Sequence, residues 1–128
     1  MAKLYFHYST MNAGKSTLLL QAAHNYLERG MKTYLLTAQF DHRAGEGKIA
    51  SRIGVEKAAD TFATGENLYQ KIELRLSARP CDCIFIDEAQ FLEHSQVWQL
   101  ARAVDNLKVP VMCYGLRVDF QGQLFPGS

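Results

Sequence analysis

Apolar positions alternate or cluster in short blocks along the chain, and between the blocks they recur at helical spacing. Lys3 to Tyr8 alternates with aromatic and apolar content and predicts a first strand. A loop containing Gly14 follows, and a helix begins near Lys15. That helix carries Leu18, Leu19, Ala22, Ala23, Tyr26 and Leu27 on one side and is closed by Gly30. Lys32 to Thr37 reads as a second buried strand, and Asp41 to Gly54, with three Gly and three basic residues, as a mobile loop or hairpin. Glu66 to Ala78 predicts a helix on Leu68, Tyr69, Ile72 and Leu76. The wholly apolar Cys83 to Ile86 then predicts a short strand buried on both faces. Val97, Leu100, Ala101, Val104 and Leu107 mark another helix. Val109 to Tyr114 makes one more strand, with Pro110 near its entrance.

Strands that alternate with helices build βαβ units, so the fold class is α/β: a central, mainly parallel sheet flanked by helices on both faces. Ligands of such sheets bind at the carboxyl ends of the strands. After Gly115 the chain runs to Ser128 without a covering helix. The last strand is therefore expected to keep one flank open, and the chain to be cut short of a longer whole. A length of 128 residues fits one domain.

Composition narrows the function classes. Lys and Arg number 14 against 13 Asp and Glu, a net charge of +1, so no global field draws the chain onto nucleic acid or an anionic membrane. The apolar blocks are far shorter than the roughly 20 residues a membrane helix needs, and the first residues lack the pattern of a secretory signal. A cytoplasmic address is expected. Cys81, Cys83 and Cys113 suit neither a disulfide framework nor a zinc knuckle and read as reduced core thiols. His7, His24, His42 and His94 have no paired spacing and are assigned no chemistry.

Two segments carry chemistry. Ser9-Thr10-Met11-Asn12-Ala13-Gly14-Lys15-Ser16 lies between a predicted strand and a predicted helix, the setting of a phosphate-binding loop, or P-loop. Backbone N–H groups of such a loop and the positive end of the following helix wrap nucleotide phosphates. Lys15 adds a full charge, and the Ser16 hydroxyl is a ligand for Mg²⁺. Ser9 stands where the usual pattern has its first glycine. Read as structure alone, the segment is a turn and helix start capped by Ser16 or Thr17. The second segment is Cys83 to Ile86 running into Asp87-Glu88, an apolar strand closed by two carboxylates, as in a Walker B element. Adjacent strand residues face opposite ways, so one carboxylate is expected to serve Mg²⁺ and the other the acceptor. Alone, such a pair is more commonly a solvated turn; with the loop upstream, both elements converge on one sheet edge. Arg43 or Arg52 could fold over the phosphates, and Arg43 is favoured.

Lys3-Leu-Tyr-Phe6, Ser9 to Thr17, Asp87-Glu88-Ala89-Gln90-Phe91 and Tyr114-Gly-Leu-Arg-Val-Asp-Phe120 together closely resemble the type II thymidine kinases of bacteria and animals, along the whole chain. The resemblance implies a P-loop, RecA-like nucleoside kinase core over residues 1–128. Its implied reaction moves the γ-phosphoryl of ATP to the 5′-hydroxyl of thymidine or deoxyuridine, with Mg²⁺ required. Ser9 to Ser16 would hold the triphosphate, with Asp87, Glu88, Ala89 and Gln90 also at the nucleotide. Asp87 and Ser16 would support the metal, Glu88 would be the base, Lys15 and Arg43 would contact phosphate, and Gln90 would help orient the site. Met11, Phe91, Leu116, Phe120 and Phe125 would line the thymine pocket; Phe120 and Phe125 could equally be core. The resemblance further implies feedback by thymidine triphosphate and a homotetramer. Family members continue past Phe125-Pro-Gly-Ser128 into a helix and a zinc-bound module with a nucleoside lid, so this chain is expected to hold no zinc. The competing readings are an ATP-binding P-loop module without turnover and a nucleic-acid-dependent ATPase, the latter disfavoured by the near-zero charge.

Overall fold

The computed structural model of the chain describes residues 3–9, 15–38, 48–50 and 56–116. β1 (Leu4–Ser9) leads to α1 (Lys15–Glu28), β2 (Thr33–Ala38), β3 (Lys48–Ala50), β4 (Glu56–Ala58) and β5 (Asp60–Phe62). α2 (Leu68–Ala78), β6 (Cys83–Ile86), α3 (His94–Leu107) and β7 (Val111–Leu116) complete the order, with a single 3-10 turn at Ala89–Phe91 between β6 and α3. Five strands form one sheet in the order β1-β7-β6-β2-β5, every neighbouring pair parallel. The expected α/β class is the observed one. β3 and β4 form a separate antiparallel pair, within and just beyond the segment expected to be a loop or hairpin.

The pleat sorts the core. Tyr34, Leu36, Ile84, Ile86, Val111 and Cys113 share a buried cluster with Leu68, Ile72, Leu100, Ala103 and Val104 of α2 and α3. Leu35, Cys83, Phe85 and Tyr114 pack on the other face with Leu19, Leu20 and Ala23 of α1 and with Ile49 of β3. Neighbours in sequence thus go to opposite layers, as a period of two requires. On the α1 side Phe85 meets Tyr26 edge-on at 5.5 Å and lies parallel to Tyr114 at 6.5 Å, geometries that aromatic quadrupoles favour.

Helix boundaries are set by local hydrogen bonds. At the end of α1, Gly30 adopts φ +79°; its N–H donates to Leu27 O and that of Met31 to Tyr26 O, the paired bonds of a Schellman closure. α2 starts at Leu68, two residues later than the apolar pattern predicts, because Asn67 is its cap. The Asn67 carbonyl oxygen accepts from Gln70 N at 3.0 Å. α3 begins with a reciprocal box between Glu93 and Gln96.

Two expectations change. β7 is not left with an open flank: it lies between β6 and β1, and the strands of this sheet bordered on one side among the described residues are β1 and β5. Pro110 has no N–H to contribute to the ladder, so β7 starts at Val111, while the Pro110 carbonyl still accepts from Ile84 N. β5, three residues beside β2, has no alternation of its own to betray it. All three cysteines are free; burial pushes the Cys113 thiol up strongly and that of Cys83 up to about 12, so both stay protonated and inert at neutral pH. Cys81 is only partly buried.

Candidate active site

Because all five strands are parallel, their carboxyl ends meet at one edge. β1 ends at Ser9, paired with Leu116 at the end of β7. One strand further on, Ile86 closes β6, paired with Cys113 and Leu36. Two inter-strand spacings put the ends of β1 and β6 about 10 Å apart. The chain leaving β1 enters α1 at Lys15, and α1 covers the same sheet on the face of Phe85. The residues that flank the first candidate segment, Ser9 and Lys15, therefore lie on the same edge as Asp87 of the second, as a phosphate site in an open α/β sheet requires.

Asp87 is buried, 3 % exposed. Its N–H donates to Leu36 O at 2.8 Å, which extends the β2–β6 ladder by one rung and fixes the residue at the sheet edge. Glu88 departs from the pleat altogether, with φ 59° and ψ 42°. The opposite-face argument for the carboxylate pair does not apply to it, since β6 stops at Ile86. Its direction is set by left-handed backbone, which a residue with a Cβ adopts at a cost of roughly 1 kcal/mol. The short turn after Glu88 holds this residue at the carboxyl edge of the sheet. Phe91 N donates to Glu88 O and Leu92 N to Ala89 O, and Ala89 and Leu92 are buried in the core under α2 and α3.

Gln90 connects this turn to β7. Its amide nitrogen donates to Glu88 Oε1 at 2.7 Å, and its amide oxygen accepts from Leu116 N at 3.0 Å. The orientation of the amide is dictated by its partners, because a carboxylate only accepts and a backbone N–H only donates. Gly115 makes this approach possible: a Cβ there would stand 3.0 Å from Gln90 N, from Gln90 Oε1 and from Tyr8 Cε1. Sequence reasoning missed Gly115, although a glycine within an apolar strand signals close backbone approach. Phe91, 49 % exposed, and the partly buried Leu116 flank the same turn.

Of the residues picked out from sequence, the structure brings Asp87, Glu88, Ala89, Gln90, Phe91 and Leu116 to one edge, together with the backbone of Ser9, Lys15 and Ser16. Thr10, Met11, Asn12, Ala13, Gly14, Arg43, Arg52, Phe120 and Phe125 lie outside the described residues. Among the described residues, no three His, Cys, Asp or Glu side chains gather into a metal cluster. His7 stacks on Tyr114 and His94 on Trp98, and His24 lies beside Glu28 on the exposed face of α1. No helix of the described residues is long and apolar enough to cross a membrane.

A parallel sheet whose first strand leads to a helix beginning at Lys15-Ser16, with an acidic pair just after the strand two places away, defines a nucleotide-binding α/β domain of the P-loop class. Comparison with known proteins gives the family. The thymidine kinase family model matches residues 2–128, and the chain belongs to that family. It is 70% identical over 128 residues to the thymidine kinase of Jannaschia sp. (strain CCS1), covering all of this chain and 66% of that protein. It is 67% identical to that of Ruegeria pomeroyi, covering 65% of it, and 59% identical to that of Xanthomonas campestris pv. campestris (strain 8004), covering 62% of it. The chain thus spans a little under two thirds of the length of these relatives.

Proposed function

We propose that residues 1–128 form the catalytic core of a thymidine kinase, which transfers the γ-phosphoryl of ATP to the 5′-hydroxyl of thymidine or deoxyuridine. The observation that carries this reading is the placement of Glu88, in strained left-handed backbone and bonded to Gln90, at the sheet edge where β1 delivers the chain to α1.

In this mechanism the amides between Ser9 and Ser16, and the N-terminus of α1, receive the phosphates. A carboxylate and a hydroxyl are hard oxygen donors of the kind Mg²⁺ takes, usually one or two from protein with the rest from phosphate and water. Asp87, which is buried, and Ser16 would hold the ion, which would supply positive charge against the phosphates. Glu88 accepts the proton of the 5′-hydroxyl as that oxygen bonds to the γ-phosphorus. The bond from γ-phosphorus to the bridging oxygen breaks, and ADP leaves with the electron pair. Lys15 and Arg43 offset charge on the transferring group. Met11, Phe91, Leu116, Phe120 and Phe125 supply apolar walls for a flat pyrimidine. The same reading includes thymidine triphosphate as a feedback ligand, a homotetramer, a cytoplasmic address and no zinc within these residues.

The test is ADP formation. Thymidine-dependent conversion of ATP to ADP in the wild-type protein, lost in Glu88→Gln with ATP binding retained, is the expected result. ATP binding without thymidine-dependent turnover would replace this reading with a binding module, and stimulation by DNA instead of thymidine with a nucleic-acid-dependent ATPase.

A further inference from the structure

Glu88 is held from one side by Gln90, and Gln90 is held in turn by the backbone of β7. We propose that the Gln90 amide is a two-ended strut that sets the position of the Glu88 carboxylate from the end of β7, and that Gly115 is glycine because a side chain there would dislodge it. This rests on the reading of Glu88 as the base. Gln90 and Gly115 are positioning residues; neither takes part in proton or phosphoryl transfer.

The strut has a chemical basis as well as a geometric one. One end must donate, because Glu88 Oε1 accepts at 2.7 Å; the other must accept, because Leu116 N donates at 3.0 Å. Among the side chains of this length only a primary amide does both. A glutamate at position 90 keeps the acceptor for Leu116 N but sets a second negative charge against Glu88. A methionine fills the space and does neither. The strut is also anchored at the right strand, since β7 lies between β1, which leads to the phosphate segment, and β6, which ends at Ile86 and runs into Asp87. Gly115 pairs with Tyr8 of β1, and the Cβ it lacks would press on Gln90 N, Gln90 Oε1 and Tyr8 Cε1 at 3.0 Å each. The backbone nitrogen among these cannot swing aside as a side-chain tip can. An alanine at 115 therefore shifts the turn that carries Glu88 relative to the strand that leads to the phosphate segment.

Leu116 gives the strut a second consequence. It is a proposed wall of the thymine pocket, and its N–H is the anchor of the strut. Nucleoside that seats against the end of β7 presses on the same backbone that orients the base, so acceptor binding and base alignment share one hydrogen bond.

The experiment compares Gln90→Glu, Gln90→Met and Gly115→Ala in the full-length protein, with kcat, the KM values for ATP and thymidine, and amide hydrogen exchange at Leu116 as readouts. Both Gln90 variants are expected to lower kcat by roughly 30- to 100-fold, as a displacement of about 1 Å at the reacting centre does, with KM for ATP within about 2-fold. Exchange at Leu116 is expected to quicken in Gln90→Met and to stay slow in Gln90→Glu, which retains the acceptor. A purely structural role for this hydrogen bond would give the same exchange pattern with kcat of the folded protein unchanged. Gly115→Ala is expected to lower kcat by about 10-fold, and the Gly115→Ala, Gln90→Met pair to be no worse than Gln90→Met alone. Wild-type kcat in Gln90→Met, slow Leu116 exchange in that variant, or full additivity of the pair would each overturn the strut. A wild-type protein that never phosphorylates thymidine would refute the kinase reading instead, while the exchange pattern would still report on the strut.

Discussion

Two of the connections that leave the carboxyl edge of the sheet and enter helices solve the same problem differently. The loop from β5 to α2, residues 63–67, is built for order. Gly65 takes its left-handed turn at φ +83°, Asn67 caps the helix, and α3 with its N-cap Glu93 supplies further partners. Gln96, 1 % exposed, donates to Ala63 O at 2.9 Å and Glu66 O at 3.0 Å; Glu93 accepts from Gly65 N at 2.7 Å and Gln99 from Leu68 N at 2.8 Å. The loop from β6 to α3, residues 87–93, gives its left-handed position to Glu88. Glycine would take that conformation with less strain. Where only shape is needed the chain uses glycine, and where it keeps a carboxylate in the same conformation the side chain has a use that outweighs the cost. Lys108, the other non-glycine at positive φ among the described residues, is the exposed C-cap of α3, where left-handed backbone is an ordinary way to end a helix and a cation suits the dipole.

The largest effect should come from the strained loop. Glu88→Gln preserves shape and removes the proton acceptor, so thymidine-dependent turnover is expected to fall by about 10³-fold, with ATP binding and melting temperature close to wild type. Parallel assays of turnover and nucleotide binding check this, and a variant as active as wild type would remove the reason offered for the strain.

The ordered loop should fail in the opposite manner. Gln96→Leu leaves the Ala63 and Glu66 carbonyls and the Glu93 N–H without their side-chain partner in a buried region. Unfolding free energy is expected to drop by about 3 kcal/mol. Urea denaturation measures it, and ATP affinity in the folded fraction should be unchanged, since the hydrogen bonds of the Gln96 side chain go to residues 63, 66 and 93, none of them among the proposed nucleotide ligands.

Sequence pattern and tertiary partnership divide what could be read in advance. β1, α1, β2, β6 and α3 are legible because each has an apolar period or an uninterrupted apolar run, and their alternation implies a parallel sheet with its ligands at one edge. Asp87 and Glu88 are legible as chemistry because a strand ends on them. What escapes depends on partners far along the chain. The burial of Gln96 is compensated by residues 63 and 66, some thirty positions away; Gly115 is explained only by Gln90 and Tyr8; β5 is a strand only because β2 lies beside it. The interior place of β7 between β6 and β1 comes from strand order, which local pattern does not encode.

The smallest effects test the exchange of glycine and carboxylate directly. Gly65→Ala adds a Cβ that meets no atom within 4 Å, so its cost is backbone strain alone, about 1 kcal/mol. The reciprocal change, Glu88→Gly, relieves that strain at the site. Against the relief stands the added freedom of glycine in the unfolded chain, roughly 0.5–1 kcal/mol, and loss of the bond from Gln90 to Glu88. The net change in unfolding free energy should therefore lie within about 1 kcal/mol of zero, although thymidine-dependent turnover is lost. A destabilisation of about 3 kcal/mol would mean that Glu88 is an architectural residue like Gln96, and the contrast between the two loops would dissolve. A near-neutral change with activity abolished would place the whole cost of the left-handed turn at the service of the carboxylate.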